Sequence, residues 1–471
     1  MNNNIRNASK AVIIPLKGKI GYSFGEMGSQ FSWTLISAYL MVFYSDVVGL
    51  TPVIISIIML VARVGDAVSD PIFGSIAENT RSRYGRFRPW ILWASPLLCL
   101  FNCLCFLNLN VSMPARIIWC AVTYIFCGMT YTAANISVGC LVNSMTSINT
   151  ERVKLNAFRG AAGSIAGIMI NMITMPIILY FGNGSTSSGK GYFIAAFIFS
   201  VVALPCFFIC FFSTQEIIGG GVRKEDENEK NRAVKNLTTS FKITFKDRNA
   251  TFMIFAMLCF LTGIFGRIGI MAYYFIYIMG NAIAIASFGT AMTIGMLVVN
   301  LYAPLILNCI DKKWCGVISC FCQAACCVAF FFLGQEHASA MTVAVVGFVY
   351  GATNFGGLTS YGLGAEIIDD NWLKTGIRAD GVIYSCVSFS TKLGNAIGGS
   401  IGILILGAVG FVANSEMSAE VLTKMNMVIN LFPVAFFLLS ALFFAMVEMT
   451  NVKGKENEAK IIEKLFLGEL K

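Results

Sequence analysis

Twelve stretches of this chain are long and apolar enough to cross a bilayer, arranged as six, a polar gap, and six more. A spanning helix needs about 20 predominantly apolar residues. Such runs lie at 23–46, 52–78, 89–110, 114–144, 156–182 and 190–213, then at 249–279, 283–310, 313–334, 338–367, 379–412 and 421–449. Of the 471 residues, 56% are apolar and 13% charged, about half the charged share of a soluble domain. A water-soluble core cannot hide that much apolar surface, and the mean hydropathy is +0.73. The expected fold is an all-α membrane protein with 12 transmembrane helices in two six-helix bundles. A soluble enzyme, a nucleic-acid binder and a secreted disulfide scaffold are excluded as classes. The net charge of +9 then carries orientation and affinity for an anionic leaflet, not a nucleic-acid footprint.

Lysine and arginine gather in the connections after segments 2, 4, 6 and 8. These hold Arg81, Arg83, Arg86 and Arg88, then Arg152 and Lys154, then a run from Arg223 to Arg248, then Lys312 and Lys313. The connections after segments 1, 3, 5, 7 and 9 hold almost none. The positive-inside rule makes the basic connections cytosolic, and both termini with them. The expected division is a cytosolic tail over 1–20, a bundle over 21–213, a cytosolic linker over 214–248, a second bundle over 249–450 and a cytosolic tail over 451–471. The first tail has basic residues without a long apolar core, unlike a signal peptide. The linker core, GGGVRKEDENEKNR, is glycine-rich and then densely charged, as a solvated connector should be. The chain closes on IIEKLFLGELK, which reads equally as a short amphipathic surface helix or a frayed end. The 16 cysteines accompany a single histidine, His337, and show no metal-ligand spacing. Most lie in apolar runs such as LCLFNCLCFL and read as small packing residues kept reduced. With no nucleophile–base or metal-ligand cluster, neither an enzyme nor a bound cofactor is expected.

An ionisable residue within a span costs at least about 2.5–3.5 kcal/mol, so each asks for a reason. The candidates are Glu26, Arg63, Asp66, Asp70, Arg159, Arg267, Glu366 and Lys392. Asp66 and Asp70, four apart, share one face of segment 2, with Arg63 one turn earlier. Two carboxylates that close repel unless a cation or proton lies between them. Ser69 and Thr132 offer the oxygen ligands a small hard cation takes. A plain salt bridge from Arg63 is the alternative. Glu26 and Gln30 form another pair four apart, Asn135 follows Thr132 by three, and Tyr384, Ser388 and Lys392 form a stripe on segment 11. An aromatic face with directed polar groups in an apolar cleft suits a sugar. Interhelical hydrogen bonding is the competing explanation for Gln30, Asn135 and Ser388. Arg159 and Arg267 either serve the cavity or tie the bundles together through carboxylates. The glycine-rich runs GAAGSIAG and GNAIGGSIG are expected to allow close or sliding helix contacts.

Three motifs are more specific. YLMVFYSDVVGLTP leads into VARVGDAVSDPIFGSIAENTRSRYGRFRPWILW, YTAANISVG lies in segment 4, and AEIIDDNWLKTGIRADGVIYS runs from segment 10 into 11. Together they resemble the glycoside–pentoside–hexuronide:cation symporters of the major facilitator superfamily, the family of the melibiose permease. The resemblance covers about residues 20 to 450. It implies a substrate site near the bilayer midplane between two bundles. It also implies a cation site at Asp66 and Asp70 with Thr132 contributing and Ser69 where the permease has asparagine. The permease's two galactoside-binding aspartates fall at Gln30 and Asn135, its helix-5 arginine at Arg159, its helix-11 lysine at Lys392, and its helix-4 tryptophan at Gly139. Losing both aspartates argues against melibiose and, with Arg159 and Lys392 kept, makes the cavity friendlier to an anionic sugar; the asparagine looks like the glucuronide and pentoside branches.

The expected function is import of a sugar or glycoside, a hexuronide or pentoside among the options, by symport with Na+ or H+ through alternating access. Substrate contacts are expected from Glu26, Gln30, Asn135, Arg159, Tyr384, Ser388 and Lys392. Gating or structural roles fall to Arg63, Arg81, Arg83, Arg86, Arg88, Arg267 and Glu366, with Arg81 to Arg88 closing the inner side against acidic helix ends. The expected partners are a small sugar, a monovalent cation and the lipid of a bacterial inner membrane, with no nucleic acid, around a monomer. A lysolipid flippase of the same ancestry and a non-transporting sugar sensor are the rival functions.

Overall fold

The structure, a computed structural model, describes residues 14–146, 149–217, 245–333, 339–375 and 380–466. His337 and most of the expected linker lie outside the described residues. The chain divides into two compact units, Met1–Val222 with Val412–Ser415, and Arg223–Phe411 with Glu416–Lys471. The first holds α1 (Leu16–Val42), α2 (Pro52–Asn79), α3 (Arg88–Cys105), α4 (Met113–Met145), α5 (Asn149–Phe181) and α6 (Gly189–Ser213). The second holds α7 (Arg248–Tyr273), α8 (Ile283–Cys309), α9 (Lys312–Leu333), α10 (Ala340–Ala352), α11 (Gly356–Thr375), α12 (Asp380–Ala408), α13 (Ala419–Ala445) and α14 (Asn451–Phe466). Among the described residues, ten helical stretches are long and apolar enough to cross a membrane. Helices α1 and α2 are as long, with 27 and 28 residues, and hold Glu26, Gln30, Arg63, Asp66 and Asp70.

Each unit's first helix ends the same way. Helix α1 runs into a π turn at Phe43–Val47, and α7 into one at Tyr274–Ile278. In the first, the Val48 and Leu50 amides donate to the Phe43 and Tyr44 carbonyls; in the second, those of Met279 and Asn281 donate to the Tyr274 and Phe275 carbonyls. A left-handed glycine sits within each ending, Gly49 at φ 79° and Gly280 at φ 63°. The side-chain-free residue makes that reversal cheap.

Small residues set how closely helices pack. On α1, Gly21, Gly25 and Gly28 face α6, where a Cβ would come within 2.1 Å of Ser213 and 2.9 Å of Cys210 and Phe207. On α12, Gly394 and Gly398 lie against the α7 backbone, with Thr262 O only 2.5 Å from a Cβ at 398. The second contact is the close packing expected of GNAIGGSIG. The α5 run behaves differently: Gly163 makes room for Glu26 and Gln30, with a Cβ position 3.2 Å from Glu26 Cγ. The 16 cysteines are thiols outside any disulfide, and most are buried.

The tenth apolar segment is interrupted between α10 and α11, at Thr353–Phe355, and α9 satisfies the loosened backbone. Ser319 Oγ donates to the Thr353 carbonyl at 2.7 Å and accepts from the Gly356 amide at 3.1 Å. Gln323 Nε2 donates to the Tyr350 carbonyl at 2.7 Å. Irregular backbone survives at membrane depth only with such protein partners. Of the tail, Asn451–Phe466 is helical and residues 467–471 lie outside the described residues. Asp311 caps the start of α14 by accepting from the Asn451 amide at 2.8 Å, and Asn457 Nδ2 donates to Asp370 at 3.1 Å.

Candidate functional site

Helices α2 and α4 meet in register around the acidic pair. Asp66 and Asp70 are four residues apart on α2, and Gly128 and Thr132 are four apart on α4. Asp66 Oδ1 lies 2.6 Å from where a Cβ on residue 128 would stand, so any larger residue there would displace the carboxylate. One turn on, Thr132 Oγ1 donates to Asp70 Oδ1 at 2.9 Å. Arg63 Nη1 lies 3.5 Å from Asp66 Oδ2, with the two side chains 14% and 20% exposed. The salt bridge and the acidic pair thus coexist. Ser69 Oγ donates to the Asp66 carbonyl at 3.2 Å, which leaves its lone pairs available. The donor set is oxygen only, which suits a small hard cation, and either carboxylate can take a proton.

A second polar chain runs along α1 to α5. Arg159 Nε donates to Glu26 Oε2 at 2.6 Å, with side chains 23% and 12% exposed. Gln30 Nε2 donates to Glu26 Oε1 at 2.9 Å, and Thr34 Oγ1 to Gln30 Oε1 at 3.0 Å. The Arg159 charge is therefore compensated within the first unit. Asn135 is half-buried on α4. Gly139, where the permease has tryptophan, lies with its Cβ position 3.4 Å from Arg159 Nη1. Lys392 is half-buried on α12 of the second unit. Tyr384 and Ser388 are on the same helix, with side chains outside the described residues.

Arg159 pairs inside its own unit. Arg267, 1% exposed, packs among aromatic rings of the second unit. Its guanidinium carbon lies 4.6 Å from the Phe330 centroid and 4.8 Å from that of Tyr350, and Nη1 touches Cys327 Sγ. Among the described residues no carboxylate pairs with it.

The basic motif between α2 and α3 works mainly through its backbone. Gly85, at φ 110°, turns the chain so that the amides of Arg86, Phe87 and Arg88 donate to the Glu216 carboxylate at 2.8, 2.8 and 2.9 Å. Such a nest at a helix start is an anion site, filled here by the protein's own acid. Arg88 Nη2 donates to the Phe211 carbonyl at 2.7 Å. Arg83 and Arg86 lie over their neighbours Tyr84 and Phe87, and Arg81 is exposed. In the second unit Glu366 receives Lys312.

Glu151 joins two elements of the first unit, since its carboxylate binds Lys19 of α1 at 2.7 Å and Lys154 at 2.9 Å. It lies just before the apolar span that starts at Lys154. Hydrogen bonds from Lys19 and then Lys154 hold its carboxyl well below the usual range, at about 2. A depressed folded value gives stability that is present above the unfolded value and lost as pH falls through the folded one. The thermal midpoint of purified protein should therefore drop between about pH 4.5 and pH 2. Glu151→Gln should flatten that part of the profile, and an unchanged acid limb would show that the triad does not contribute.

Sequence patterns did not single out Gly128, Trp33, Tyr131 or Glu216. Gly128 had one readable sign, its place one turn before Thr132. Trp33 had another, three residues after Gln30 on the same stripe. Glu216 had none, because its partners are backbone amides.

The family described as MFS/sugar transport protein matches residues 21–451. The chain is 32% identical to the isoprimeverose transporter of Lactiplantibacillus pentosus, over 94% of this chain and 91% of that protein. It is 27% identical to the glucuronide carrier protein homolog of Escherichia coli (strain K12), over 93% of each chain. The inward-open xylose transporter XylE from E. coli superposes with a TM-score of 0.64, covering 94% of this chain and 98% of that one. At 12% identity the last likeness establishes the fold alone.

Proposed function

We propose that this chain, which belongs to the MFS/sugar transport protein family, is a glycoside–cation symporter of the major facilitator fold that imports an uncharged glycoside with one monovalent cation. The observation that carries this reading is the register of Asp66 against Gly128 and of Asp70 against Thr132. A cation between the two aspartates relieves their repulsion and draws α2 onto α4. Bare carboxylates in a closing cavity would carry a desolvation penalty, so a protein loaded with sugar alone changes face poorly. Both α1 and α2 cross the bilayer in this reading, giving twelve spans with the termini inside a bacterial cytoplasmic membrane. The substrate contacts of the first unit are Gln30, Asn135 and the Glu26–Arg159 pair.

Two relatives pull the substrate in opposite directions, one named for isoprimeverose and one for glucuronides. The Glu26–Arg159 pair favours the uncharged class, because the arginine is already neutralised. Competition for uptake into energised vesicles tests this. Uncharged xylosides and isoprimeverose should compete at least about tenfold better than glucuronides, a difference of about 1.4 kcal/mol. Stronger competition by glucuronides would reverse the assignment.

A further inference from the structure

Trp33 lies on α1 three residues after Gln30 and seven after Glu26, on the stripe of the polar chain. Its ring stacks on Tyr131 of α4, with centroids 4.3 Å apart and planes 20° from parallel. The Arg63 guanidinium carbon sits over the same indole, 4.8 Å from its centroid. It lies 6.0 Å from the Tyr124 ring, and Nη1 reaches Asp66 at 3.5 Å. One guanidinium is thus shared between an acid of the candidate cation site and an aromatic of the candidate sugar wall. Tyr131 directly precedes Thr132, whose hydroxyl holds Asp70. Asp66 thus contacts the guanidinium that packs on this indole, and Asp70 contacts the residue that follows the stacked tyrosine on α4. Trp33 and Tyr131 are each half-buried.

We propose that Trp33 is a positioning residue that conveys occupancy of the cation site to the sugar wall, with Arg63 as the moving part; this rests on the symporter reading. With the site empty, Asp66 attracts Arg63 and keeps the guanidinium on the indole. An arriving monovalent cation competes for the same carboxylate and repels the guanidinium, as like charges do at this range. Arg63 then loosens from the ring. The electron-rich aromatic face that had attracted a guanidinium is left to attract the polarised C–H face of a sugar ring. Cation first and sugar second is the favoured order, because the cation clears the surface that the sugar needs.

The test uses purified full-length protein in nanodiscs with Na+, Li+ and, by pH change, H+ as probes. Calorimetry establishes which ion binds, and tryptophan fluorescence follows the ring. The chain has six tryptophans, so the difference between wild type and Trp33→Phe isolates this one. The expected result is a cation-induced fluorescence change that falls by about fivefold or more in Trp33→Phe and in Arg63→Gln, the lower end of common coupling factors. Calorimetric cation binding to Trp33→Phe should remain. A second protein keeps Trp33 and carries phenylalanine at the other five positions; it should retain the change. If Trp33→Phe responds like wild type, or the Trp33-only protein is silent while the cation binds, the relay is wrong and the symporter reading stands. If no ion binds wild type, the symporter reading falls and the relay with it.

Discussion

Asp70→Asn should lower gradient-driven glycoside accumulation by about 100-fold, near the upper end of the coupling that links two sites in one protein. The loss has two parts. The cation loses one of the two carboxylate charges that face it, and Thr132, which donates to Asp70 at 2.9 Å, loses its ionic acceptor. Asp66→Asn should match that loss and add a folding defect. It removes the carboxylate 3.5 Å from Arg63, in a place where an uncompensated charge is costly. Uptake into right-side-out vesicles, read beside the thermal midpoint of each purified variant, separates the two effects. Normal accumulation in either variant would mean that the cation binds elsewhere.

Glu26→Gln should be the most destabilising single change in the first unit's polar chain. Breaking a buried ion pair by removing one partner costs about 3–5 kcal/mol. With side chains 12% and 23% exposed, the lower part of that range applies. The double change Glu26→Gln with Arg159→Gln should recover most of the stability, since it removes the stranded charge as well. Substrate choice supplies an independent readout. Glu26→Gln leaves a positive wall, and glucuronides should then compete better than they do against wild type. Equal midpoints for the single variants and wild type, with unchanged competition, would show that the pair neither holds the wall nor selects the sugar.

The helical plan was legible because it rests on a one-dimensional property. Runs of apolar residues must be buried in lipid wherever they fall, and lysine and arginine mark the connections. Asp66, Asp70 and Thr132 were legible for a related reason: spacing on a helix fixes which residues share a face, and buried charge demands a partner. What could not be read was which partner. Arg159 was expected either in the cavity or tying the bundles together, yet it lies against Glu26, 133 positions away in the chain. Arg267, with the same two expectations, packs on Phe330 and Tyr350. The break before α11 was hidden because Thr353 and Asn354 interrupt an apolar run only briefly, and the groups that compensate sit on α9. The basic loop looked like a charge device. The Gly85 turn and the Glu216 carboxylate make it a backbone anion nest, and no pattern of side-chain types encodes that.

The central claim is that two aspartates on α2 take up a monovalent cation and that this occupancy admits the sugar. Titration calorimetry of purified protein with an uncharged xyloside, run with and without the coupling cation, addresses it most directly. The account predicts that the cation tightens xyloside binding by about 5- to 150-fold and that the same factor appears when the order of addition is reversed. Xyloside affinity indifferent to Na+, Li+ and pH, in protein that binds the sugar well, would contradict it.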